Sequence, residues 1–271
     1  LNTFILGKAT SNEHILKKLM IPINPVENTW CSVSYSRLLF QNSPAHFHIV
    51  GILEGAINSK GAQVRPTDSA EGNKVIMEQL LMRFIHNNRK SDHKFTIGTT
   101  PITLPGEMNK ILVAEKIDAI IMQTKWTMAI HEVFMGRFVL NVLKKVKGVP
   151  ILVVPKENTF RKPTRILFST NFKRAFKRRE LGLFIELAKI WKSKIVVAQF
   201  EPDEQMSEFQ RINKSLLKDI FYGSPITFEI LGKQKEEALS LSQFAKTTNP
   251  DLTAIVNHRY NFFKSLYREM W

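Results

Sequence analysis

Two stretches far apart in the chain are built alike. KLMIPINP at 18–25 and RILFSTNF at 165–172 each give a basic residue, an apolar run of strand length, and an asparagine at the run's end. A second pair follows at matching places: IDAIIMQTK at 117–125 and DLTAIVNHR at 251–259 each open on Asp, continue as an apolar strand and end in a polar turn. A period this long signals duplicated domains, since solenoid repeats recur every few tens of residues.

Between these markers apolar strands alternate with helical patterns. The first half reads as strands at 18–23, 46–53, 95–100, 118–123 and 149–154. Helices are predicted near 28–41, 73–89, 106–116 and 136–147. VIMEQLLMRFI shows the helical spacing through Val75, Ile76, Leu80 and Phe84. The second half reads as strands at 165–170, 194–200, 226–231 and 252–257, with helices near 174–192, 205–221 and 234–247. Runs such as ILVVP and KIVVAQF are continuous and β-branched, as parallel strands buried on both faces require. Alternation with helices implies right-handed crossovers, hence an α/β fold of two tandem doubly wound, Rossmann-like parallel sheets. The predicted domains are 17–155 and 164–271. They are joined by a polar linker, 156–163, bracketed by Pro155 and Pro163. The second repeat is short: after DLTAIVNH comes RYNFFKSLYREMW, with no counterpart of the first half's last helix and strand. It is therefore expected to be incomplete at its C-terminal side, with an uncovered strand edge that promotes self-association.

Composition narrows the class of partner. The chain has 271 residues, 44% of them apolar, and a formal charge of +15. A positive field of this size attracts anions without choosing among them. One cysteine, Cys31, excludes an intramolecular disulfide framework and fits a cytoplasmic setting. No apolar run reaches the roughly 18 residues of a membrane span, and no membrane role is expected. LNTFILGKATSNEH has neither a basic segment nor a long apolar core, so no signal peptide is read there.

In these segments the sequence resembles the universal stress proteins, in their tandem bacterial form. The resemblance rests on KLMIPINPVENTW, on IDAIIMQTKWTMAIHEVFMGRFVLNVLKKVKGVPILVVP, on RILFSTNFKRAFKRRELGLFIELAKIWKSKIVV and on DLTAIVNHRYNFFKSLYRE. It implies five parallel strands per repeat and two repeats packed as an internal pseudo-dimer, often through their fifth strands. It also implies a role in the stress response. ATP-binding members carry G-x-x-G, nine residues, then G-[ST] between strand four and helix four, and an Asp after strand one. Glycines let backbone N–H groups reach phosphate, and the helix N-terminus adds its positive end. Carried onto this chain, the glycine positions are Gln123, Trp126 and Gly136, the hydroxyl position is Arg137, and the Asp position is Asn24. In repeat two Asn171 replaces the Asp, and NHRYNFFKSLYRE has no glycine. The resemblance thus implies the subclass without ATP: no cofactor, no catalytic residue, and an unknown protein as partner. The alternative is an ATP or AMP sensor that uses a remodelled site with Asn24, Gly136 and Arg137, with slow ATP hydrolysis as a sub-case.

Two other features carry competing readings. KRAFKRR follows the first strand of repeat two, so Lys173, Arg174, Lys177, Arg178 and Arg179 either rim an anion site or form a solvated helix face. Five cations in the first turns of a helix oppose its dipole. His46 and His48 share a strand face, but no further ligand is spaced to complete a metal site. No nucleic-acid motif accompanies the charge, so no specific nucleic-acid binding is expected.

Overall fold

A computed structural model describes residues 2–6, 17–23, 30–52, 66–87, 92–98, 107–124, 137–146, 148–155, 160–231 and 237–256. In the first half, β2 (Lys17–Ile23), α1 (Cys31–Leu39), β3 (Ala45–Gly51), α2 (Pro66–Asn87), β4 (Lys94–Ile97), α3 (Met108–Ala114), β5 (Ala119–Thr124), α4 (Arg137–Lys145) and β6 (Ile151–Pro155) follow in order. In the second, β7 (Arg165–Thr170), α5 (Gly182–Ile190), β8 (Lys194–Gln199), α6 (Glu208–Ile220), β9 (Ile226–Ile230), α7 (Glu237–Thr248) and β10 (Leu252–Val256) repeat the pattern. One more strand, β1 (Asn2–Leu6), precedes both.

All ten strands form one sheet in the order β4-β3-β2-β5-β6-β1-β10-β7-β8-β9. Read inward from either edge, each half runs third, second, first, fourth, and then a fifth position. In the first half β6 fills that fifth position. In the second, β1 fills it, paired parallel to β10 from Asn2↔Leu252 to Leu6↔Val256. Among the described residues the second repeat thus contributes four strands of its own, and β1 lies beside the last of them. This corrects two expectations. Residues 2–6 belong to the second half's sheet, and the edge of β10 expected to be bare is paired along its length. β1 also pairs antiparallel with β6, through Thr3↔Val153, Phe4↔Leu152 and Ile5↔Ile151. The halves therefore meet through their fifth-strand positions.

Strand side chains alternate between faces, and the core divides accordingly. Leu19, Ile21, Phe47, Ile49, Ile121, Ile166, Phe168, Ile195, Val197 and Ala254 pack with α1, α2, α5 and α6 residues such as Leu39, Leu81, Leu187 and Leu217. Met20, Val50, Ile120, Met122, Leu167, Val196 and Ile255 pack on the other side with Leu112, Val142, Leu143 and Leu241 of α3, α4 and α7. Each cluster draws on both halves. On α2 the buried positions are Met77 and Leu81, and Val75 stands exposed.

The repeat is reproduced at the level of single hydrogen bonds. Asp118 accepts at Oδ2 from the Lys18 N–H at 2.8 Å, and its own N–H donates to Lys18 O at 2.8 Å. Asp251 does the same with Arg165, at 2.9 and 3.0 Å. The aspartate that opens each fourth strand clips it to the start of the first, which sets the register of the central pair.

Candidate functional site

In open α/β sheets ligands bind beyond the carboxyl ends of the strands, where chain direction reverses. Here those points lie between β2 and β5 and between β7 and β10.

At the end of β7 the backbone turns sharply. Phe172, fully buried, adopts φ of +54°. The turn is held by Thr170 Oγ1, which accepts from the Phe172 N–H at 3.0 Å, and by Asn171 Oδ1, which accepts from the Lys173 N–H at 3.2 Å. α6 then closes over this turn with polar side chains. Gln210 Nε2 donates to Asn171 O at 2.9 Å and to Glu201 Oε2 at 3.0 Å, and Asn213 Nδ2 donates to Phe172 O at 2.8 Å. Lys214 Nζ donates to Gln199 Oε1 at 2.9 Å and to both Asp203 oxygens at 2.6 and 2.8 Å. Gln199 Nε2 completes the ring to Asp203 Oδ1 at 2.8 Å. The Lys214 ammonium also lies 4.7 Å from the Phe228 ring centroid. Hydrogen bonds from Lys214 and then Gln199 hold the Asp203 carboxyl below the usual carboxylate range. Gln199, Gln210, Asn213 and Lys214 are all buried. Their polar groups are spent on one another and on the strand ends.

The basic run lies outside the helix predicted for it. Residues 171–177 are irregular, a 3-10 turn occupies Arg178–Leu181, and α5 begins at Gly182. Glu180 explains the delay. It is buried and accepts at Oε2 from Arg174 Nη1 at 2.9 Å and from the Lys177 N–H at 3.0 Å. Burial works against its charge, but these two donors outweigh it and leave the Glu180 carboxyl below its ordinary value. Arg174 also lies over Phe176, 4.5 Å from the ring centroid. Arg178 Nη1 donates to Ile220 O at 3.4 Å. The cations thus precede the helix and do not occupy its first turns. Lys173 and Lys177 are exposed, and Arg174 is committed to Glu180.

In the first half, Asn24, Trp126 and Gly136 lie outside the described residues, as does His131, and Arg137 opens α4. Gln123 is the candidate placed beside the β2/β5 reversal. It sits next to the end of β5, paired with Val154 of β6, and its buried Oε1 has no hydrogen-bond partner among the described residues. The β2/β5 ladder stops early, at Leu19↔Ala119 and Met20↔Ile120, whereas β2/β3 continues to Ile23↔Gly51. Proline explains this. Ile23 O bonds toward β3, so by alternation residue 22 addresses β5, and Pro22 has no N–H to give. Its counterpart in the second half is Ser169, which stays paired with Ile255. The central ladder of the first half thus ends short of its strand ends, whereas its counterpart in the second half continues.

His46 and His48 share one hydroxyl: Thr96 Oγ1 lies 2.8 Å from His46 Nε2 and 3.0 Å from His48 Nδ1. Burial, then Lys18, Lys94 and His48, push His46 down to about 4, with Glu115 opposing. No group of three or more His, Cys, Asp or Glu is placed to hold a metal among the described residues. Among them, too, no helix is long and apolar enough to cross a membrane.

No protein-family model matches the sequence, and comparison with curated proteins finds no match. Solved structures do match. A universal stress protein from Archaeoglobus fulgidus superposes with a TM-score of 0.68 at 12% identity, over 93% of this chain and 92% of that one. A putative universal stress protein from Pseudomonas aeruginosa gives 0.59 at 12% identity, over 94% and 90%. The cytoplasmic domain of a prokaryotic cation chloride cotransporter gives 0.51 at 10% identity, over 94% and 92%. The chain has the fold of the universal stress proteins across nearly its whole length, and that fold also serves inside a transporter. Function must therefore be argued from the residues at the strand ends.

Proposed function

We propose that the chain is a universal stress protein-like binding module of the bacterial cytoplasm that acts in the stress response through a protein partner, without ATP. The observation that carries this reading is the Lys214–Asp203–Gln199 ring with Gln210 and Asn213. It occupies the ends of β7 and β8 with groups that are already hydrogen-bonded, so a nucleotide seated there would have to displace them. The segment after β10 has no glycine to bring backbone N–H groups to phosphate. Neither feature fits a nucleotide, so no chemical step is assigned to the second half.

One observation favours a second reading, an ATP or AMP sensor in the first half. Pro22 ends the β2/β5 ladder early, and the Gln123 acceptor beside it has no hydrogen-bond partner among the described residues. Asn24, Gly136 and Arg137 would then be the contacts to test.

The discriminating experiment is to purify the protein without nucleotide, denature it and quantify released adenine nucleotide by chromatography. None is expected; near-stoichiometric ATP or AMP would transfer the case to the sensor. A companion variant with Asn24→Asp, Gln123→Gly, Trp126→Gly and Arg137→Ser is expected to gain ATP binding. A folded variant that ignores ATP would count against these positions as the remnant of a phosphate loop.

A further inference from the structure

Helix α6 is amphipathic the wrong way round for a surface helix. Its inward arc carries Gln210, Asn213 and Lys214, all buried, with Leu217. Its outward arc carries Phe209, Ile212 and Leu216, exposed at 58%, 52% and 43%. The inward polar groups are explained by the strand-end network; among the described residues the outward apolar ones belong to neither core cluster. Their spacing, three then four residues, is that of a helix–helix seam.

The stripe has two unlike borders. The loop from Asn171 to Arg178 follows α6 from its first turn to its last, through Gln210 to Asn171 O, Asn213 to Phe172 O and Arg178 to Ile220 O. Exposed Lys173, Lys177 and Arg178 lie on that loop. By helical rotation, exposed Glu208 and Asp219 lie along the opposite border. Exposed Arg211 and Lys218 leave the surroundings net positive, on a chain of charge +15.

We infer that this face of α6 docks an acidic amphipathic helix of another protein, its apolar residues on Phe209, Ile212 and Leu216 and its carboxylates on Lys173, Lys177 and Arg178. A second copy of this chain is a poor occupant, because two bodies of charge +15 repel. An anionic bilayer is a poor one as well, because a convex stripe entering it would press Glu208 and Asp219 against lipid phosphates. A helix meets three residues at seam spacing and can place its carboxylates along one border only. The inference deepens the binding-module reading and rests on it for the partner being a protein; the nucleotide measurements bear on the strand ends and leave this face untouched.

The test uses the full chain and a fluorescent synthetic helix of about three heptads, leucine at the seam and glutamate beside it, with a lysine-for-glutamate twin as control. Anisotropy should show binding of the acidic peptide and not of the twin. Ile212→Ser should weaken it about tenfold, the scale of a central interface residue, and Lys173→Glu with Lys177→Glu should weaken it further and flatten its salt dependence. The melting curve of Ile212→Ser should be unchanged, since the position is exposed; the double charge reversal, whose Lys177 lies beside buried Glu180, is compared with Lys173→Glu alone. No binding of the acidic peptide, equal binding of both peptides, or indifference to these variants overturns the inference. So does a dimer in sedimentation that Ile212→Ser abolishes, which gives the face to a second copy. Flotation with phosphatidylglycerol vesicles that is lost with Ile212→Ser gives it to a bilayer and overturns the inference as well.

Discussion

Trp191 Nε1 donates a hydrogen bond to Leu39 O, 2.9 Å away and buried, across the boundary between the two halves. Both residues sit at the C-terminal ends of corresponding helices, α1 and α5. Phe160 bridges them, 5.7 Å from Trp191 and 5.4 Å from Tyr35 by ring centroids. Trp191→Phe keeps the apolar volume and removes the donor, leaving a buried carbonyl unpaired. It is expected to cost about 1–3 kcal/mol in chemical denaturation; an unchanged midpoint would deny that this contact joins the halves.

β1 makes a second prediction. It separates β6 from β10, so removing residues 1–6 bares a strand edge on each. Amide exchange at Leu252–Val256, slow in the full chain, is expected to become fast, and the shortened chain to aggregate through the open edges. Retained protection after truncation would mean that the second half closes without this strand.

The Lys214–Asp203 pair makes a third. Asp203→Asn removes the charge facing a buried ammonium. Because Asp203 is itself more than half exposed, the loss is expected between that of surface and buried pairs, about 1–2 kcal/mol. Lys214→Met, which keeps the stem over Phe228 and drops the charge, is expected to cost less. The reverse order of the two variants would show that the ring is not held by its charges.

His46 makes a fourth, with a definite sign. Its folded value, about 4, lies below its ordinary 6.5, so between these values the unfolded chain binds more protons than the folded one. Stability contributed by neutral His46 is fully present above about pH 6.5 and is lost as pH falls toward 4. His46→Gln, which can still reach Thr96, should flatten the melting temperature in that window relative to the parent. Asp203, held low by its partners from an ordinary value of 3.8, adds acid sensitivity below this window, and Glu180, held low from 4.5, adds it only at the window's lower end. An identical pH profile in the variant would remove His46 as its source.

Helix–strand alternation and the duplication were legible because they rest on local apolar runs and on Asp118 and Asp251, which recur at the fourth strands; the meeting of the halves through their fifth strands was implied by the family resemblance. β1 was not: NTFIL is five residues with no neighbours in sequence to mark it, and its partners are 150 and 250 residues away. The predicted helix at 174–192 began too early because apolar spacing through Phe176 does not reveal that Glu180 folds the preceding loop back on itself. The polar ring escaped for a related reason. Gln210, Asn213 and Lys214 sit at buried spacing on α6, but polar residues at such spacing ordinarily face water. The signal was their company: Phe209, Ile212 and Leu216 took the other arc.

The most direct test of the central claim is a calorimetric titration of the purified chain with ATP. The account predicts no saturable heat, since of the three glycine positions carried onto the first half only Gly136 is a glycine, and the segment after β10 has none. Saturable binding at one site per chain, abolished by Arg137→Ala, would contradict it and establish the first half as a nucleotide sensor.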